Sequence, residues 1–148
     1  EENNYQRLVE NITKRNLENI TAKQVCAYNR NGYVRFEGVM ERGGVKDTKQ
    51  DAAYKMYPAQ TINSLCNESV MARNATVLKI NFPFSVSEVL EGAGGLLKNQ
   101  KPRLVIRAGF DENVLLNTYF TIRDLNPDYK VFLRYTVGIP QGLTIFAV

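Results

Sequence analysis

The dipeptide Asn31-Gly32 stands between two β-prone runs in the stretch QVCAYNRNGYVRFEGVM, and no other local signal restricts the fold as tightly. Asn-Gly supplies the two positive φ angles of a type I′ turn, whose twist matches that of paired antiparallel strands. The stretch therefore predicts a β-hairpin. With Arg30 facing Tyr33, Ala27 pairs with Phe36 and Lys23 with Met40 on one face, while Cys26 pairs with Glu37 and Tyr28 with Arg35 on the other. Cys26 then lies on the more polar face, where it can cross-link to whatever covers the sheet.

Ahead of this hairpin, apolar Tyr5, Leu8, Val9, Ile12 and Ile20 recur at helical spacing, which predicts a helix over residues 4–20. After it, residues 43–60 carry Gly-Gly, mixed charge and almost no periodicity, and read as a long excursion available as a contact surface. Ile62, Leu65, Cys66 and Val70 predict a short helix, with Cys66 turned inward and Asn67 nearer the surface. The run TVLKINFPF alternates, with Leu78, Ile80, Phe82 and Phe84 on one side, and Pro83 places its end at a sheet edge. Ser85-x-x-Glu88 is a capping-box pattern for a helix whose Val86, Val89, Leu90, Ala93, Leu96 and Leu97 share a face. Glycines 92, 94 and 95 either break that helix or let it pack closely. The runs RLVIRAGF, LLNTYFTIR, KVFLRYTVGI and LTIFAV, separated by turn formers, predict an antiparallel meander.

These elements describe an α+β chain: an N-terminal helix and one or two further helices packed on a curved, mostly antiparallel sheet. The element order resembles cystatin-like and NTF2-like architectures. A length of 148 residues suits a single domain over 1–148, and 44% hydrophobic with 23% charged residues excludes a disordered chain. No apolar run is long enough to cross a bilayer. No basic-then-apolar leader stands at Glu1, so a targeting segment is expected to have been removed or never present.

The chain contains no histidine, which excludes Ser-His and Cys-His nucleophiles and any zinc-histidine centre formed within it. The GAGG stretch at 92–95 lacks the G-x-G-x-x-G and Gly-Lys-Ser/Thr patterns of phosphate-binding loops. Asp124, Asn126 and Asp128 begin like a calcium loop, but Tyr129 and Tyr135 occupy the positions of its glycine and its glutamate. The acidic residues cluster in expected turns, which explains them without catalysis. No catalytic, cofactor-binding or metal site is assigned.

Asparagine acceptors followed by x-Ser/Thr occur four times, at Asn11, Asn19, Asn67 and Asn74, of which Asn19 falls on the apolar side of the first helix unless the chain has already turned. Cys26 and Cys66 are the only cysteines, and a disulfide between them closes a loop of about forty residues. Both features need an oxidising compartment. Together they predict a secreted or otherwise extracytoplasmic, glycosylated, non-enzymatic domain that acts by surface contact with a protein partner, a second copy of itself included. One alternative is a periplasmic structural subunit of a bacterial envelope assembly. Another is a nucleic-acid-binding domain that uses Arg103, Arg107, Arg123 and Arg134 among Tyr119, Phe120, Phe132 and Tyr135; the +4 charge does not demand nucleic acid and the RNP1 consensus is missing, which makes it the less favoured partner.

Overall fold

The computed structural model describes residues 2–37, 44–45, 56–82, 85–109, 111–135 and 142–148. The chain is α+β and begins with a helix. It divides into two compact units, one of residues 1–26 and 32–59 and the other of residues 27–31 and 60–148.

Helix α1 (Glu2–Lys14) opens the first unit with an acidic first turn and a basic last turn, each complementing the helix dipole. It stops well short of Ile20. Asn16 takes φ 50°, its amide donates to Thr13 O at 3.1 Å, and the Leu17 amide donates to Ile12 O at 3.0 Å. This pair of bonds is a Schellman closure, with asparagine in the left-handed position usually held by glycine. Asn19 therefore lies beyond the helix, and it is exposed. The predicted apolar stripe is only partly covered: Tyr5 and Ile12 are half-buried while Leu8 and Val9 are exposed.

The expected hairpin does not form. Strands β1 (Cys26–Ala27), β2 (Gly32–Glu37), β3 (Gly44–Val45) and β4 (Met56–Gln60) take the order β1-β4-β2-β3. β4 is thus inserted between the two strands that Asn31-Gly32 was to join. β2 pairs with β4 through Gly32↔Ala59, Tyr33↔Pro58, Val34↔Tyr57 and Arg35↔Met56. The asparagine is held by other bonds. Asn31 Nδ2 donates to Ser64 Oγ at 2.9 Å, and Asn31 Oδ1 accepts from the Thr61 amide at 2.9 Å. Part of the predicted 43–60 excursion is therefore strand; residues 43 and 46–55 lie outside the described residues. Tyr57, within that stretch, is buried.

In the second unit, Thr61 caps α2 (Ile62–Asn67) by accepting from the Ser64 amide at 3.1 Å, and α3 (Val70–Arg73) follows. Then come β5 (Val77–Ile80), α4 (Val86–Gly92), α5 (Gly94–Asn99), β6 (Arg103–Arg107), α6 (Glu112–Leu125), β7 (Val131–Tyr135) and β8 (Leu143–Ala147). The sheet order is β5-β6-β8-β7. β5 runs parallel to β6, and β8 lies antiparallel between β6 and β7.

The run LLNTYFTIR is helix, not the second strand of a meander. Asp111 caps α6, its Oδ1 accepting from the amides of Asn113 at 2.9 Å and Val114 at 3.3 Å. Val114, Leu115, Thr118, Ile122 and Leu125 then fall on one helical face, and Ile122 is fully buried. With Leu90, Leu97, Leu104, Ile106 and Ile145 it forms one continuous core. Each such side chain contributes about 1.5–3 kcal/mol by burial. The antiparallel expectation holds for two of the three pairings in this sheet, and β6 and β8 occupy the predicted runs.

The glycines at 92–95 serve packing. A Cβ on Gly92 would collide with the backbone carbonyl of Tyr28, one on Gly94 would meet Leu125 at 3.3 Å, and one on Gly95 would press the Asn63 side chain at 3.1 Å. The helix breaks at Ala93 and also packs closely. Among the described residues, no helix is long and apolar enough to cross a membrane.

Candidate functional site at the carboxyl ends of the parallel strands

In open α/β sheets ligands bind outside the carboxyl ends of parallel strands, because the following loops and helix starts gather there. β5 and β6 are the parallel pair, in register through Ile80↔Ile106. One residue further on each strand stand Asn81, exposed, and Arg107, half-buried. The register thus sets Asn81, just past the end of β5, next to Arg107, the last residue of β6.

The turns beyond them are unusual in backbone. Ser85, the residue before α4, holds φ 53° and makes no side-chain capping bond, so the capping box read from sequence is not formed although the helix starts where expected. Gly109, between β6 and α6, holds φ 68°. A left-handed non-glycine residue stores strain that the surrounding packing must maintain, and such residues concentrate at functional sites. Ala108 anchors the second turn, its amide donating to Leu143 O at 2.9 Å. Asp111 closes it as the cap of α6.

Chemically, Asn81 offers a donor and an acceptor, and Arg107 offers a charged fork of donors. They suit the holding of an oxygen- or nitrogen-bearing substrate, not nucleophilic attack on it. The thiols do not supply that attack either: burial pushes both Cys26 and Cys66 above the usual cysteine range, which keeps them protonated at neutral pH.

Sequence reasoning singled out neither Asn81 nor Arg107 as site residues. Arg107 entered only as part of a basic face, and the signal that finds both is their position at the ends of adjacent parallel strands, which requires the pairing. The predicted disulfide is corrected: Cys26 and Cys66 are free thiols. With that bond goes the observation on which the secreted, disulfide-linked glycoprotein rested. Asn11, Asn19, Asn67 and Asn74 are all exposed, in two different units. The arginine-aromatic sheet face is also broken up, since Tyr119, Phe120 and Arg123 belong to α6 while Phe132, Arg134 and Tyr135 belong to β7. The Asp124-Asn126-Asp128 turn spends its amide internally: Asn126 Nδ2 donates to Leu97 O at 2.9 Å and Asn126 Oδ1 accepts from the Asp128 amide at 3.0 Å.

No family model matches the chain, and no curated protein matches it. Among solved structures it is similar to the methyltransferase FkbM from Methylobacillus flagellatus KT, with a TM-score of 0.69 and 19% sequence identity over 97% of this chain and 32% of that one. The chain thus spans about a third of that protein's length. The likeness is one of fold, and it runs against the expectation of a non-enzymatic binding domain, since the similar structure is that of a methyltransferase. A strand-helix-strand connection around a parallel pair, with an antiparallel strand inserted beside it, stands where a plain meander was expected.

Proposed function

We propose that this chain belongs to a methyltransferase-type enzyme and contributes the acceptor side of its active site, at the carboxyl ends of β5 and β6. The observation that carries this reading is the β5-β6-β8-β7 sheet, with its single parallel pair, in a chain whose fold is similar to that of a methyltransferase. Asn81 and Arg107 hold and orient the acceptor, and the acceptor's own oxygen or nitrogen is the attacking atom.

A methyl donor of the S-adenosylmethionine kind is implied by such an activity, but the described residues do not form a holder for it. The glycine-rich stretch 92–95 lies within α4 and α5 and is filled by Tyr28, Leu125 and Asn63. No step is therefore assigned to the donor.

The test is transfer of a labelled methyl group from S-adenosylmethionine to pooled hydroxylated and amine-bearing small molecules. Transfer is expected to fall about 100-fold or more in Asn81→Ala and Arg107→Ala, the range seen when a group that positions the reactants is lost, with the circular dichroism unchanged. Full transfer by both variants, or no transfer to any pool by the unaltered protein, overturns the reading.

A further inference from the structure

A second site lies at the opposite end of the same parallel pair. A cleft of about 780 Å³ opens at the amino ends of β5 and β6, within the range of small-molecule pockets. Asn74, Thr76, Gln100 and Arg103 supply its polar wall, and Val77 and Pro102 part of its apolar floor. A smaller cavity of about 290 Å³ adjoins it and shares Gln100. No carboxylate lines either one.

The cleft is open to solvent, and the functional groups of its four exposed polar residues are uncommitted. Among the described residues, the side chains of Asn74, Thr76, Gln100 and Arg103 make no hydrogen bond or ion pair within the protein. Arg103 is fixed by its backbone, whose amide donates to Thr76 O at 2.9 Å and so holds the two strand starts together. Lys101 lies between Gln100 and Arg103 at φ 49°, directly before Pro102, where extended backbone is the rule. Lys101 also lines the cleft, and its ammonium is engaged within the protein: Lys101 Nζ donates to Asp128 O at 2.9 Å and lies 5.5 Å from the centroid of the Tyr129 ring. Tyr129 OH in turn donates to Pro102 O at 2.8 Å. These three contacts hold the strained Lys101-Pro102 backbone on one side of the cleft, and strained backbone of this kind concentrates at functional sites.

Guanidinium pairs with an oxyanion through two parallel bonds, and carboxamides and a hydroxyl match neighbouring hydroxyl groups as donor and acceptor together. We propose that this cleft binds a hydroxylated small molecule bearing one oxyanion, of the sugar-phosphate or sugar-acid class. Arg103 takes the oxyanion; Asn74, Thr76 and Gln100 take the hydroxyls. The site is independent of the one at the carboxyl ends.

The test is an amide chemical-shift titration of the whole chain with glucose 6-phosphate and with glucuronate, against glucose and inorganic phosphate. At least one anionic sugar is expected to shift Thr76, Gln100 and Arg103 saturably below about 10 mM, with glucose and phosphate weaker; which of the two anions does so identifies the class. Arg103→Ala should weaken it ~10-fold or more, as loss of a charged hydrogen bond does. Lys98→Ala, which alters a charge outside the cleft, should leave it unchanged. Absence of saturation by both anions, unchanged affinity in Arg103→Ala, or equal loss in Lys98→Ala overturns the proposal.

Discussion

Asn126 donates its side-chain amide to the carbonyl oxygen of Leu97 across 2.9 Å, in a position where Asn126 keeps only 8% of its surface exposed. The bond fastens the end of α6 to α5 and supplies a partner that the last turn of α5 lacks. Its other side-chain atom, Oδ1, accepts from the Asp128 amide and so shapes the turn into β7.

Asn126→Ala leaves the Leu97 carbonyl unpaired in a buried place. The expected cost is about 1–3 kcal/mol of unfolding free energy. Urea unfolding followed by circular dichroism reads it directly, and Asn126→Asp should not rescue, since a carboxylate cannot donate to that carbonyl.

Gly92→Ala should destabilise the protein although alanine is the better helix former. On an exposed helix the substitution gains up to ~1 kcal/mol. Here the new methyl group meets the Tyr28 backbone, and forcing a group into a filled site costs about 1–3 kcal/mol. A lowered midpoint in thermal unfolding is expected; a raised one contradicts the close approach.

Tyr129 is almost fully buried, and that burial pushes its hydroxyl from 10.0 up to about 12. The folded protein therefore holds the phenol proton more tightly than the unfolded chain. The associated stability is fully present below pH 10 and is lost as the pH rises through about 12. Tyr129→Phe removes the bond to Pro102 O and should lower stability near neutral pH by ~1 kcal/mol. It should also flatten the stability profile between pH 10 and 12, measured by chemical unfolding at each pH.

Both cysteines are free, so a reducing agent should leave the thermal midpoint unchanged. Because burial raises both thiols, alkylation of the folded protein should be slow near pH 7. It should accelerate as the pH rises past the normal cysteine range, with mass spectrometry counting two additions after unfolding.

Local chemistry was legible where neighbours in sequence are also neighbours in space. A helix near the start of the sequence, the β5 alternation, the start of α4, and β6 with Arg103 and Arg107 opposite Leu104 and Ile106 follow from residue pattern and hold in the structure. Two failures were also local and readable. Asn16 is a helix stop, and Asp111 followed by Val114, Leu115, Thr118 and Ile122 is a capped helix built from β-prone residues. The candidate site was not legible, because Asn81 and Arg107 come together only through the parallel pairing of β5 with β6.

What the sequence alone determined is the chemistry this chain cannot perform without help, having no histidine, and a few local elements such as β5, β6 and the start of α4. Tertiary structure decided which strand lies beside which. Asn31-Gly32 has the residues of a hairpin turn, yet β4 pairs with β2, because the Asn31 side chain binds Thr61 and Ser64 and the β2 backbone finds its partner more than twenty residues away. A turn preference is worth little against a full ladder of backbone hydrogen bonds and the burial that accompanies it, and that balance is set only when distant segments meet.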